Sequence, residues 1–173
     1  YLPLRERIAT RLRGQGMPIM SAQVLITSGS QQGIDLIARA FLNPDDGVVV
    51  ESPMYSIAIK ILLMNGATLL PYDVGPEGIS LGGLQALLAR QAPKLFYAVP
   101  NFQNPTAYSY TLAEKRALLD HVYRSGALLI EDASDSELQA DAAERPSLAA
   151  LDTAEHVIHL NTFSKTLVPA VRV

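Results

Sequence analysis

Five short polar runs each follow an apolar segment of this sequence, and together they carry hydroxyls, amides, carboxylates and one amine. The runs are Ser28-Gly29-Ser30, Glu51-Ser52-Pro53, residues 101–106, Glu131-Asp132 and residues 162–165. If the apolar segments are parallel strands, all five runs stand at the edge formed by the carboxyl ends of the strands, where open α/β sheets bind their ligands. One such run means little, but five at one edge predict a single site.

The types and positions of the residues in one of these runs predict an anion-binding site. Ser28-Gly29-Ser30-Gln31 opens a predicted helix. Backbone N–H groups in the first turn of a helix, together with the helix dipole, bind anions. Ser30 is also a suitable helix N-cap, and that role is compatible with anion binding.

The three histidines show no sign of a metal site. His121, His156 and His159 lack metal-ligand spacing and have no acidic partner within a motif. We interpret them as surface or strand residues and predict no metal site.

The elements that position the polar runs alternate between strand-like and helix-like segments. Strands are predicted at 24–27, 48–50, 67–70, 95–99, 127–130 and 156–160. The run 48–50 is apolar on both faces, as a central parallel strand requires. This pattern predicts an α/β fold of βαβ units around a mainly parallel sheet.

Five helices are predicted between these strands from apolar periodicity and from start and stop signals. The first covers 3–13 and ends at Gly14, and the second is capped by Ser30 with Ile34, Ile37, Ala38 and Phe41 on its inner face. The third starts with Ser52 as cap and Pro53 as first residue and ends at Asn65-Gly66. The fourth covers 81–88, and the fifth runs from the capping box Thr111–Glu114 to about Arg124.

Composition excludes several classes of function. The chain has 173 residues, is 49% hydrophobic and carries a formal net charge of −3, so we expect no nucleic-acid contact by this segment. It has no cysteine and no apolar run of membrane-spanning length, which agrees with a cytoplasmic protein. It lacks an initiator Met and ends at Val171-Arg172-Val173, which reads as the start of a strand; we therefore expect a fragment of a longer protein.

The polar runs occur within longer motifs that are recognisable together. In order they are "ITSGSQQGIDLIARAFLNPDD", "VVESPMY", "YAVPNFQNPTA", "LLIEDASDSEL" and "NTFSKTLVPAVRV". This set resembles the class I/II aminotransferases of pyridoxal-phosphate (PLP) fold type I, and equally the aminotransferase-like domain of MocR-type, GntR-family regulators. The resemblance implies a three-layer α/β/α fold in which residues 1–173 form part of the large, PLP-binding domain, with the C-terminal small domain absent.

The resemblance also implies roles for individual residues. Lys165 would form a Schiff base with PLP and then act as the general base on the substrate. Asp132 would pair with the pyridinium nitrogen, although charge alone does not distinguish it from Glu131. The remaining cofactor-binding residues would hold the phosphate, the phenolic oxygen and the ring face. They are Ser28, Gly29, Ser30, Gln31, Thr162, Ser164 and Arg172 around the phosphate and the lysine, Asn104 at the phenolic oxygen, and Tyr55 stacked on the ring.

The chain departs from the family at several of these places. The tyrosine expected to contact the phenolic oxygen of PLP is missing from both candidate positions, Ser134 and Asp135. Family glycines are replaced at Ala107, Asn161 and Ala170, and if those positions need a positive φ the substitutions cost stability.

Three functions follow from the resemblance. The first is an aminotransferase acting on an amino acid and a 2-oxo acid, homodimeric when full length. The second is the PLP-binding effector domain of a MocR-type regulator. The third is a relative that has lost its chemistry. The run Asn101-Phe102-Gln103-Asn104 favours the enzyme, whereas Asp135-Ser136-Glu137 and the lost tyrosine favour the regulator.

Overall fold

The computed structural model describes residues 1–138 and 144–171, and helices alternate with strands through most of this part of the chain. The helices are α1 Leu2–Gly14, α2 Ser30–Phe41, α3 Ser56–Met64, α4 Leu81–Leu88, α5 Leu112–Ser125 and α6 Leu148–Leu151. The strands are β1 Gly47–Ser52, β2 Thr68–Gly75, β3 Gly78–Ile79, β4 Leu95–Ala98, β5 Leu128–Asp132 and β6 Val157–Leu160. Short 3₁₀ turns lie at Ser21–Gln23, Ser136–Leu138 and Pro169–Val171.

The strands form one sheet in the order β3-β2-β1-β4-β5-β6. All neighbours are parallel except β3, which folds back antiparallel on β2. After β1 the chain adds β2 on one side, and it later returns to place β4 on the other side of β1. The strand order therefore reverses between β1 and β4, which is the topological switch point where open α/β sheets bind ligands.

Both faces of the sheet are covered by helices, so the predicted three-layer α/β/α architecture is confirmed. Side chains alternate along a strand, and Val48 and Val50 face α2 and α3, whereas Val49 faces the opposite helices. The first core contains Ile34, Ala38, Ala58, Leu62, Leu95, Tyr97 and Ile130. The second core, under α4, α5 and α6, contains Leu84, Phe96, Leu118, Val122, Leu129 and Leu148.

The helix signals on either side of these cores are confirmed in two places. Thr111 and Glu114 form the reciprocal capping box of α5, with Thr111 N donating to Glu114 Oε2 at 2.7 Å. The helix α3 ends just before Asn65, its C-cap, and Gly66 follows with φ +79°.

Four local predictions are wrong. Residues 24–27 form no strand, since they pair with no other strand of the described chain and Leu25 is 76% exposed; an apolar run becomes a strand only where a neighbour accepts its hydrogen bonds. Gly29, with φ +86°, is the N-cap of α2, so Ser30 is its first residue. Ser52-Pro53 continues from β1, and α3 starts only at Ser56. Val171 ends a 3₁₀ turn, while residues 172–173, including Arg172, lie outside the described residues.

None of the helices in the described part of the chain is long and apolar enough to cross a membrane.

Candidate functional site

The carboxyl ends of the central strands surround a cleft of about 190 Å³. Its lining comes from four of the five polar runs identified in the sequence, and from the segment that follows the fifth. The lining residues are Gly29, Ser30, Gln31, Tyr55, Val99, Asn104, Asp132, Ser134, Asp135, Thr162, Ser164 and Lys165. Of the residues named in advance, Ser28 precedes the cleft without lining it, and Arg172 cannot be placed because it lies outside the described residues.

One end of the cleft is formed by the N-terminus of α2 and the loop after β6. Gly29, Ser30 and Gln31 present the first turn of the helix, and Thr162 and Ser164 face them across the cleft. Helix α2 packs closely on β6 at Gly33, where an added Cβ would overlap the side chain of Leu160. Free N–H groups, the helix dipole and two hydroxyls make this end suitable for an anion.

Asp132 lines the cleft from the end of β5. Its Oδ2 accepts a hydrogen bond from Tyr97 Oη at 2.6 Å, and its Oδ1 accepts from the backbone N and the Oγ of Ser134. Burial raises the pKa of the Tyr97 phenol well above its ordinary value, so this hydroxyl remains a donor. Asp132 is thus a buried carboxylate held in a fixed orientation, which suits it to a cationic partner in the cleft.

The neighbouring Glu131 has a different task. Successive side chains of a strand point to opposite faces, and Glu131 accepts hydrogen bonds from the backbone N–H groups of Leu148 and Ala149 at the start of α6. It also contacts His159, whose Nδ1 lies 2.9 Å from Glu131 Oε2. The structure therefore distinguishes the two carboxylates that charge alone did not. His159 is a strand residue, as predicted, and its acidic partner comes from the neighbouring strand β5, not from a sequence motif.

Lys165 lines the cleft with about half of its side chain exposed. Its Nζ lies 4.0 Å from Oδ1 of Asp135, at the edge of ion-pair distance. Ser134 is engaged by Asp132, so the two positions that lack the family tyrosine have separate contacts. A carboxylate, which accepts hydrogen bonds, thus stands beside the amine in a place where a tyrosine hydroxyl was expected.

Asn104 reaches the cleft from the loop after β4. That loop contains Ala107 with φ +60°, so at this position the condition for a cost in stability is met. A non-glycine residue in the left-handed region costs about 1 kcal/mol or more. Asn161 and Ala170, the other replaced glycines, do not have positive φ.

Behind the cleft lies a buried polar group to which the sequence assigned no role. Glu51, at the end of β1, accepts hydrogen bonds from Val99 N at 2.8 Å, Tyr110 Oη at 2.5 Å and Gln103 Nε2 at 2.9 Å. Burial nevertheless raises the pKa of Glu51 from 4.5 to about 7, and the charge of Asp132 adds to the rise. The only sequence signal was its place directly after an apolar strand.

Lys115 was also missed. It lies in α5, where a surface position would be expected, but its Nζ donates to Asn101 Oδ1 and to the carbonyl of Pro146, both at 2.7 Å. Burial lowers the pKa of Lys115 to about 8. Its partners are distant in sequence, so no local pattern could have revealed it. Within residues 1–138 and 144–171, no group of three or more His, Asp or Glu side chains could hold a metal ion.

Comparison with known proteins places this geometry in a family. A model of the family "Aminotransferase class I and II" matches residues 1–173. The chain belongs to the class I and II aminotransferase family. Members of this family and its structural relatives bind PLP.

The aminotransferase relatives include enzymes and regulators at similar identity. A 2-aminoadipate transaminase of Thermus thermophilus is 36% identical over all of this chain and 43% of its own length. The probable rhizopine catabolism regulatory protein MocR of Rhizobium meliloti is 32% identical over 98% of this chain and 34% of its own length. The chain thus spans less than half the length of these curated relatives.

A solved structure agrees with the fold. The α-aminoadipate aminotransferase LysN of Thermus thermophilus, solved with N-(5'-phosphopyridoxyl)-L-leucine, is 36% identical and superimposes with a TM-score of 0.91 over 99% of this chain and 44% of its own. The predicted mainly parallel large-domain fold is therefore confirmed.

The buried Glu51 carboxyl predicts a specific pH dependence of stability. Its folded-state pKa is raised, so between about pH 4.5 and 7 the folded protein binds a proton that the unfolded chain lacks. The contribution of this proton to the free energy of unfolding is therefore complete below pH 4.5. It is lost as the pH rises through 7, by up to roughly 3 kcal/mol. Urea unfolding at pH 5 and pH 8 should show a smaller loss of stability for Glu51→Gln than for the wild type.

The exposed Glu77, in the turn between β2 and β3, provides the control for this measurement. Glu77→Gln should leave the difference between pH 5 and pH 8 unchanged. Equal pH dependence of Glu51→Gln and the wild type would contradict the assignment.

The contact between Lys165 and Asp135 predicts the reactivity of the lysine. An amine engaged by a carboxylate is less available to an electrophile, so Asp135→Asn should raise the acetylation rate of Lys165 roughly 1.5- to 5-fold, the range for an exposed ion pair. Competitive labelling with acetic anhydride, read by mass spectrometry, measures this with the exposed Lys60 and Lys94 as internal references. In 1 M salt the difference should vanish through screening; an unchanged rate at low salt would refute the ion pair.

Proposed function

We propose that this chain is the cofactor-binding part of a PLP-dependent aminotransferase, which moves an amino group between an amino acid and a 2-oxo acid. The observation that carries the proposal is the meeting of Lys165, Asp132, Asn104 and the N-terminus of α2 around one cleft. The substrates, and the homodimer expected of the full-length protein, are part of the same proposal.

The donor set fits PLP group by group. The first turn of α2, with Ser30, Thr162 and Ser164, would bind the phosphate as an anion. Asp132 would hold a proton on the ring nitrogen, because a fixed buried carboxylate stabilises a cation beside it. Asn104 would donate to the phenolic oxygen, and Tyr55 would lie against the ring. Arg172 is proposed as a further phosphate ligand from the family motif alone.

When bound, PLP supplies an aldehyde that reacts with amines and a ring that accepts the electrons released at the substrate carbon. Lys165 would hold the cofactor through its Nζ and, when free, would carry the proton to and from the carbon next to the substrate nitrogen. Val99 and Tyr55, which also line the cleft, would limit the access of water to that proton.

The site supports slow rather than fast turnover. Where relatives have two donors to the phenolic oxygen, this chain would keep only Asn104, and the carboxylate of Asp135 stands nearby. A lost hydrogen bond to a charged oxygen costs roughly 1.5–3 kcal/mol. We therefore propose an impaired aminotransferase.

One observation favours a second candidate, the PLP-binding effector domain of a MocR-type regulator. The carboxylate of Asp135 in the cleft belongs to the run Asp135-Ser136-Glu137, which resembles those regulators, and MocR itself is 32% identical. An ion pair with Asp135 favours holding Lys165 in place, whereas a catalytic lysine has to exchange partners. The same residues would then bind PLP, while DNA binding would reside in an attached domain. Measuring amino-group transfer by the full-length protein separates the two functions.

Lys165 is predicted to carry the cofactor. After loading the full-length protein with PLP and reducing it with borohydride, peptide mapping should find the pyridoxyl group on Lys165, because it is the one lysine of the cleft lining. The chain's other lysines, Lys60, Lys94 and Lys115, serve as internal controls. Label on any of them in place of Lys165 would overturn the assignment.

Asp132→Asn is predicted to lower PLP-dependent turnover by about a hundredfold or more, because the charged partner of the reacting ring is lost. The matched control is Glu131→Gln on the opposite face of the same strand. That variant should lose stability, since Glu131 caps α6, while keeping most of its turnover. Steady-state kinetics and urea unfolding on both variants test this; equal turnover of Asp132→Asn and the wild type would refute it.

A further inference from the structure

Gln103 is a buried residue whose hydrogen bonds connect the end of β1 to the loop that carries Asn104. Its side chain is 1% exposed. Its Nε2 donates to Glu51 Oε2 at 2.9 Å and to the carbonyl of Pro53 at 2.7 Å. Its Oε1 accepts from the backbone N of Thr106 at 2.9 Å and from Thr106 Oγ1 at 2.6 Å. Both ends of the amide are therefore fully used.

The backbone of Gln103 adds two more bonds within the same loop. Its N–H donates to the carbonyl of Tyr108 at 2.8 Å, and its carbonyl accepts from Ala107 N at 2.6 Å. The loop 103–108 is thus closed around one buried side chain. The costly left-handed conformation of Ala107 is held by this closure.

Asn104, the next residue, has the opposite character. It is exposed, it lines the cleft, and its side chain makes no hydrogen bond to any residue that the structure describes. Nothing on its own side chain fixes where its amide lies. The position of that amide is therefore set by the backbone on either side, and Gln103 is the neighbour that is held.

The anchor of this arrangement is Glu51. Its carboxylate is fixed by Val99 N and Tyr110 Oη, and Tyr110 Oη in turn lies 2.9 Å from Tyr72 Oη. One buried carboxyl group thus holds residues 99, 103 and 110 together through its two oxygens. The bond from Gln103 to Glu51 thus ties the loop to a fully buried part of the sheet edge.

We propose that Gln103, anchored on Glu51, is a positioning residue that sets where the Asn104 amide stands in the cleft. The proposal rests on the proposed function, since it concerns the donor that Asn104 offers to PLP. It assigns to Gln103 no contact with the cofactor: the residue acts through Asn104. A role limited to loop stability is the alternative, and the experiment separates the two.

The test is a double-mutant cycle on the full-length protein with Gln103→Met, Asn104→Ala and the double variant. Methionine keeps the length and approximate volume of glutamine but has no amide. PLP titration, followed by the absorbance and fluorescence of the bound cofactor, gives the Kd. Urea unfolding without PLP gives the stability of each variant separately.

Each single variant is expected to weaken PLP binding by about ten- to a hundredfold, the scale of one lost hydrogen bond to a charged group. In the Asn104→Ala background, Gln103→Met should weaken it no further, because the group through which it acts is gone. Additive losses would overturn the proposal, since they would show that Gln103 acts on the cleft by a route other than Asn104.

Two further variants keep the test decisive. If Gln103→Met does not fold, Glu51→Gln in the same cycle leaves one acceptor oxygen for three donors and should show the same non-additivity. Tyr108→Phe is the matched control: it lies in the same loop, but its hydroxyl bonds to Glu114, at 2.9 and 3.1 Å, and not to the cleft. It should leave the Kd unchanged in both backgrounds.

The outcomes distinguish this inference from the proposed function. If Asn104→Ala leaves PLP binding unchanged, the inference is overturned, while pyridoxyl label on Lys165 still supports the function. If the wild-type protein binds no PLP, both are overturned.

Discussion

The parallel pairing of β1 with β4 is the constraint on which the rest of this molecule depends. The two strands lie side by side in register, with Val48 opposite Leu95 and Val50 opposite Tyr97. Because they run in the same direction, their polar continuations leave the sheet at one edge. Because the chain diverges to opposite sides after them, a crevice opens between the two connections. The N-terminus of α2, the Asp132 carboxyl and the Lys165 amine are then arranged around that crevice.

A polar edge of this kind must be satisfied internally, since the strand ends are buried. Glu51 bonds with Val99 and Gln103, and Asp132 bonds with Tyr97, so two separate sets of hydrogen bonds join distant segments around the cleft. Buried polar groups are stable only when their hydrogen bonds are made. Within each set one side chain fixes the position of the next, so residues without contact to a ligand become relevant to how a ligand would be bound.

Much of the fold could be predicted from the sequence because it depends on local patterns. The predicted strands are present wherever a partner strand exists. The capping box of α5 could be predicted because its two residues are three positions apart in the sequence. The strand prediction for 24–27 was wrong because an apolar run does not indicate whether a partner strand lies beside it. Likewise, the N-cap of α2 is Gly29 and not Ser30, because the N-cap position has a positive φ that glycine adopts easily.

The tertiary structure alone decided which polar groups meet. Glu131 and Asp132 are adjacent and equally acidic, and only the direction of each side chain relative to the sheet separates the helix cap from the cleft carboxylate. Lys115 and His159 found their partners in segments 14 to 31 residues away. The sequence by itself determined most of the elements, the sheet edge at which the polar runs lie and the residue types available there. Folding determined their pairing, because hydrogen bonds between distant segments depend on strand order and side-chain direction, which no local pattern contains.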